Sequence, residues 1–152
     1  MPSSLRRTTS RPVEVFPIED VILVDTDIFS FIFRRDSRGA AYRTHIEGRI
    51  AILSFQTVAE LLFGAYMAKW GQERVEALRD EMRKYAVADF DAAMAERWAQ
   101  IRVERRSAGH EIPVADAWIA ATALWLDCPI VTNNRRDYTG ISGLQVITEV
   151  RA

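Results

Sequence analysis

One cysteine, Cys128, and two histidines, His45 and His110, are all this chain holds of the residues that build disulfide frames and Cys/His zinc sites, so both are excluded. No run approaches the ~20 apolar residues of a membrane span, and the N-terminus lacks the apolar stretch of a secretion signal. Arg6-Arg7 is not followed by the hydrophobic segment a twin-arginine signal needs. A cytoplasmic protein without membrane association is the expectation. Excess charge of one sign is also missing: the net charge is −1, so the chain as a whole does not advertise a polyanion partner. Lysine is scarce. Of 20 basic residues only Lys69 and Lys84 are lysines. Genome composition produces such a bias unaided, although arginine forks also suit phosphate recognition.

What is present reads as one globular domain. The chain has 152 residues, 49% hydrophobic and 27% charged, enough to bury about two thirds of the unfolded surface. Residues 1–20, rich in Ser, Thr, Arg and Pro, read as a flexible leader in which Val13, Val15 and Phe16 form at most a short edge; residues 21–150 form the domain. Val21-Ile-Leu-Val24 and Ile50-Ala-Ile-Leu53 are continuous apolar runs of the kind that make buried parallel strands. Tyr85–Ala88, Pro129–Thr132 and Leu144–Ile147 complete four to five strands. Between them helices are predicted over 27–34, 39–47, 55–69 (Ser54 as N-cap, Gly71 marking the end), 72–84, 92–107 and 113–126, with Pro113 in the first turn of the last. Strands alternating with helices give an α/β fold: a mainly parallel sheet with helices on both faces.

Four acidic residues stand beside these apolar runs: Asp25 after the first strand, Glu60 on the helix after the second, Asp116 in the first turn of its helix, and Asp137 in the turn after the fourth strand. Each has a plain structural reading. Asp25 or Asp27 caps a helix, Asp116 complements a helix dipole, and Asp137 is solvated in a turn. Glu60, flanked by Val58, Ala59, Leu61 and Leu62, resists that treatment because no basic partner suggests itself. In open parallel sheets sites form beyond the carboxyl ends of strands, which sends Asp25 and the Asn133–Asp137 loop to one crevice. Gathered carboxylates repel, by roughly 4 kcal/mol for two charges about 4 Å apart at an effective dielectric near 20. A hard divalent cation is the usual compensation. Arg135 and Arg136, beside Asp137, are the basic residues best placed to hold a nucleic acid phosphate.

The segments Leu-Val-Asp-Thr-Asp-Ile-Phe, Ala-Glu-Leu-Leu-Phe-Gly-Ala, Ala-Asp-Ala-Trp-Ile-Ala-Ala-Thr-Ala and Ile-Val-Thr-Asn-Asn-Arg-Arg-Asp-Tyr resemble the four signature segments of PIN domains, and among these the VapC-type toxins of bacterial toxin–antitoxin modules. The resemblance covers residues 21–150. It implies an endoribonuclease whose acidic cluster is Asp25, Glu60, Asp116 and Asp137, with Asp25 and Asp116 as the principal ligands of Mg²⁺ or Mn²⁺. It also implies a cognate VapB-like antitoxin that inhibits the enzyme, and a homodimer within a larger complex. Two positions depart from the pattern. Many relatives have Asn where this chain has Asp27, and some place the last acid where this chain has Asn134, which leaves the fourth ligand open between Asp137 and Asn134.

The expected chemistry is metal-assisted hydrolysis, with Glu60 orienting or deprotonating the water, Asp137 anchoring a second ion or its water shell, and Thr26 and Thr132 adding supporting hydrogen bonds. No histidine lies near a motif, which disfavours metal-free acid–base ribonuclease chemistry. Phe29, Phe31, Ile32 and Phe33 exceed what one helix face buries, so some are expected to be left for a partner; Trp70 with the helix over 56–69 is a second such surface. Three other readings compete. Asp25-Thr-Asp27 resembles the nucleophile motif of haloacid-dehalogenase-like phosphatases, but Phe29 stands where Thr or Val is expected and Lys69 and Lys84 fall on unsuitable helices. A non-catalytic binding module and a metal-dependent DNA nuclease are the others.

Overall fold

The computed structural model describes residues 20–151; the edge proposed for Val13, Val15 and Phe16 lies outside them. Five strands, β1 (Val21–Val24), β2 (Ile50–Ser54), β3 (Ala86–Ala88), β4 (Ile130–Val131) and β5 (Val146–Ile147), form one sheet in the order β3-β2-β1-β4-β5. Every pairing is parallel. Among the described residues seven helices connect them: α1 (Thr26–Phe33), α2 (Ser37–Ile46), α3 (Phe55–Met67), α4 (Gln72–Met82), α5 (Ala92–Ser107), α6 (Val114–Leu126) and α7 (Arg135–Tyr138). None of them is long and apolar enough to cross a membrane.

The strands are short apolar runs because both faces are covered. Ile22, Val24, Leu53 and Val131 point to the layer holding Ile28, Phe29, Tyr42, Ala65 and Leu78 of α1 to α4. Leu23, Ile52 and Ile130 point to the opposite layer, built on α5 and α6 with Ile101, Ala117 and Ile119. After β1 the chain adds β2 and β3 on one side, then returns past β1 to add β4 and β5 on the other. That reversal falls between β1 and β4, and in sheets of this kind ligands bind beyond the carboxyl ends of the strands at such a point.

Local chemistry moved several boundaries. Asp36, not the neighbourhood of Gly39, starts α2, its carboxylate accepting the Arg38 amide at 3.0 Å. Gly39 lies inside the helix, where a Cβ would stand 3.2 Å from the Phe31 carbonyl carbon, so it permits the close α1–α2 crossing. Helix α3 stops at Met67, with Lys69 in the left-handed region (φ 55), and Gly71 is the N-cap of α4 rather than the end of α3. Val58, Leu61 and Leu62 are only partly buried. Pro113 is the cap outside α6, not part of its first turn. Strand β4 begins after Pro129, which has no N–H to pair and contributes its carbonyl to Leu23 (2.9 Å). The expected loop over 133–137 contains α7. Gly140 follows at φ +94, where a Cβ would meet Arg105 Nη1 at 2.6 Å.

Of the α1 apolar side chains expected to be left for a partner, three are buried by the fold itself and Phe33 stays partly open. Phe29, Phe31 and Ile32 are buried. Phe33 stacks on Trp70 (6.0 Å between ring centres), Phe29 meets Tyr85 at 5.3 Å, and the Arg38 guanidinium covers Phe31 at 3.9 Å. The helix is sandwiched between the sheet and its neighbours, so it buries more than one face. The apolar surplus lies instead on α3, where Phe63, Tyr66 and Met67 are exposed.

Candidate active site

Asp25 does two jobs at the switch point. It ends β1, its amide paired with the Val131 carbonyl (3.0 Å), and it caps α1, one carboxylate oxygen accepting the Thr26 amide at 2.8 Å. Its other oxygen accepts from Thr132 Oγ1 at 2.7 Å, and Thr132 in turn accepts the Asn134 amide at 2.9 Å. Thr132 therefore fixes both the first carboxylate and the loop that carries the last. Burial, and then the charge of Asp27, lift the Asp25 acid to about 7, against the hydrogen bonds from Thr132 and the Thr26 amide.

Asp116, in the first turn of α6, is pushed to about 8 by burial, by Asp137 within hydrogen-bonding range, and by the charges of Asp25 and Glu60. Asn134 bridges two of these acids, its amide nitrogen donating to Asp137 Oδ2 at 2.7 Å and Asp116 Oδ2 at 3.3 Å. The sequence left the fourth ligand open between Asp137 and Asn134; here the NH₂ end of Asn134 braces Asp116 and Asp137. Glu60 accepts from Gln56 one turn back at 3.1 Å and has no basic partner among the described residues. Asp27 also enters the group: one oxygen accepts the Asn133 amide at 3.1 Å, the other is buried with no partner, and burial raises its acid.

Three expected helpers sort differently. The Thr26 hydroxyl turns away to Thr57 Oγ1 (2.9 Å) and ties α1 to α3, so only its amide serves Asp25. Arg135 is half-buried and Arg136 exposed on α7, and neither forms an ion pair among the described residues. Two tyrosines were missed. Tyr138, fully buried, donates to Asp25 Oδ1 at 3.3 Å, and burial with the charge of Asp25 holds its hydroxyl well above 10. Tyr42 donates to Asn133 Oδ1 at 2.7 Å and accepts the Glu149 amide at 3.1 Å, pinning the loop from α2. The signal was available for Tyr138: a buried tyrosine needs a partner for its hydroxyl, and this one adjoins Asp137.

The donor set is all oxygen: carboxylates with no cation among them. Among the described residues no three such groups lie at the spacing of a preformed coordination shell. Carboxylates gathered without a cation hold their protons more tightly, which is the direction in which burial and neighbouring charge shift Asp25 and Asp116. The buried, unpartnered oxygen of Asp27 is a second sign of missing positive charge. Oxygen ligands, several formal negative charges and a polar crevice suit a hard divalent cation.

The PIN domain family model matches residues 22–140. The chain belongs to the PIN domain family. It is 28% identical over 123 residues to the tRNA(fMet)-specific endonuclease VapC of Shigella flexneri, covering 81% of this chain and 93% of that protein. Its fold matches VapBC2 of Rickettsia felis, solved with a DNA fragment from the promoter, at a TM-score of 0.76 and 21% identity over 86% of this chain and 99% of the other. A toxin–antitoxin complex from Klebsiella pneumoniae matches at a TM-score of 0.64 and 26% identity, covering 86% of this chain and 99% of that chain. The parallel sheet and the switch-point crevice are thus those the four sequence segments imply.

Proposed function

We propose that this PIN domain is a metal-dependent endoribonuclease and the toxin of a toxin–antitoxin pair. One observation carries the reading: Asp25, Asp27, Asp116 and Asp137 are tied together through Thr132, Asn133 and Asn134 with no ion-pair partner among the described residues, and the acids of Asp25, Asp27 and Asp116 are raised. The likeness to the Shigella enzyme supports RNA rather than DNA as the target. Asp25 and Asp116 would hold Mg²⁺ or Mn²⁺, with Asp137 and Asp27 beside them. Such an ion, when bound, supplies Lewis acidity toward water and the phosphate oxygens. Glu60, held by Gln56 and without a salt bridge, is the group free to take a proton from the attacking water. Thr132 and Tyr138 keep the Asp25 carboxylate oriented, and Asn134 keeps Asp116 and Asp137 together. Arg135 and Arg136, without an ion-pair partner among the described residues, offer guanidinium groups for the RNA backbone on the α7 side. The test is a cleavage map on total RNA with Mg²⁺, with Mn²⁺ and with EDTA. Discrete cuts that disappear with the chelator are expected. Cuts that survive EDTA, or cleavage of DNA in place of RNA, would defeat it.

The partner reading rests on a cleft at the amino end of the sheet, away from the carboxylates. It has a volume of about 790 Å³ and apolar lining that includes Ile32, Phe33 and Ile46; of its charged lining Lys84 pairs with Glu81, and Arg35, Arg43 and Arg49 outnumber Glu47. Among the described residues none of those arginines has an ion-pair partner. An amphipathic antitoxin helix with acidic residues along one edge fits that chemistry. A second copy of the toxin would use the exposed Phe63, Tyr66 and Met67 of α3. Arg43→Glu should weaken antitoxin binding by calorimetry roughly 10-fold or more while leaving RNA cleavage unchanged; unaltered affinity would place the antitoxin elsewhere.

A further inference from the structure

At the carboxyl edge of the sheet, on the β3 side of the acids, four aromatic rings form a contiguous group that the chemistry above does not use. Phe55, Phe90 and Trp118 touch one another edge to face, with ring centres 6.1 Å (Phe55–Phe90), 5.8 Å (Phe55–Trp118) and 6.0 Å (Phe90–Trp118) apart. Trp98 stacks beneath Trp118 at 5.1 Å and 20° and is pinned by its indole N–H to the Val114 carbonyl at 3.3 Å. The Arg102 guanidinium lies over Trp98 at 5.2 Å. The group is not closed over: Phe90 is 50% exposed although two rings brace it.

Its position is fixed by the sheet. Ser54 pairs with Ala88, and Phe55 and Phe90 lie just beyond those strand ends. The register that sets Leu23 opposite Ile52 brings Asp25 level with Ser54 on the next strand. Two strand spacings, about 10 Å, thus separate the Asp25 strand from the β3 end that carries Phe90. Trp118 is two residues from Asp116 on α6.

We infer that Phe90, braced by Phe55 and Trp118, is a stacking platform for a nucleobase of single-stranded RNA one or two nucleotides from the bond the acids address; the inference rests on the ribonuclease reading. A rigid, half-exposed ring presents a π face that any unstacked base matches, and neither partner carries charge. On the β3 side, away from Arg135 and Arg136, an acidic site gains from an uncharged means of holding its substrate. The flanking Asp89 and Asp91, the latter engaged with the Ala93 amide at 2.8 Å, favour a base over a phosphate at Phe90 itself. Arg102, which has no ion-pair partner among the described residues, stands behind the rings, where the strand would leave.

The experiment walks a single abasic nucleotide through a short RNA that the full-length protein cleaves in Mg²⁺, using unsubstituted protein, Phe90→Ala and Phe90→Trp. With unsubstituted protein the abasic penalty should be concentrated at one position beside the cut, roughly 5- to 150-fold in kcat/KM. Phe90→Ala should lose a similar factor on intact RNA, mainly in KM, and show little further loss with the abasic RNA; Phe90→Trp should restore both. Because Phe90 is half exposed, the melting temperature of Phe90→Ala serves as the check that the fold is kept. An unchanged KM and cut site in Phe90→Ala, or an equal abasic penalty in both proteins, overturns the platform. So does a change in sedimentation with the abasic pattern intact, which would make the ring a protein contact. Quenching of tryptophan fluorescence by the same RNA separates the two readings. Phe90-dependent binding without cleavage keeps the platform and removes the nuclease, whereas no RNA binding removes the platform.

Discussion

Asp116→Asn is expected to lower Mg²⁺-dependent RNA cleavage by roughly 1000-fold and to melt no lower than the unsubstituted protein. The first half follows from charge: a carboxamide keeps the shape of the side chain but supplies no negative ligand, and several kcal/mol of metal-dependent stabilisation of the transition state is lost with it. The second half follows from the neighbours. An asparagine oxygen still accepts from Asn134 Nδ2, now 3.3 Å away, while the repulsion from Asp25, Asp137 and Glu60 falls. A purely structural aspartate would behave the other way, losing stability and sparing activity. Cleavage at the unsubstituted rate would show that Asp116 is a helix-start acid and no more.

The metal-free protein should be more stable at pH 5 than at pH 8, by on the order of 5–10 °C in melting temperature. The sign comes from the raised acids. Asp25 near 7, Asp116 near 8 and Asp27, also raised, bind protons more tightly in the folded than in the unfolded chain, whose carboxylates titrate near 3.8. Between about pH 4 and 8 the folded state therefore holds more protons, and stability falls as pH rises through that window. Asp36, held well below the usual carboxylate range by Arg38, works in the opposite sense but below pH 4, outside it. Mg²⁺ should recover most of the loss at pH 8 and add little at pH 5, where protons already occupy the acids. Differential scanning fluorimetry over a pH series, with and without Mg²⁺, reads both effects. A flat or rising metal-free profile would show that the acids do not share the crevice as charged groups.

Much of this molecule was legible in its sequence. Val21–Val24 and Ile50–Leu53 announced parallel strands because a strand buried on both faces has nowhere to place a polar residue. Ser54 announced a helix start because its side chain satisfies an otherwise unpaired amide, as it does here. Asp25, Glu60, Asp116 and Asp137 stood out because carboxylates beside apolar runs demand a reason. What residue order could not give was anything that depends on which surfaces meet. That α1 buries Phe29, Phe31 and Ile32 together is decided by the sheet, α2 and Trp70 closing around it. That the Thr26 hydroxyl leaves the site for Thr57, and that Tyr138 and Tyr42 enter it, is decided by contacts spanning 31 to 113 residues. Local pattern fixes which atoms need partners; only the closed fold decides which partners lie within reach.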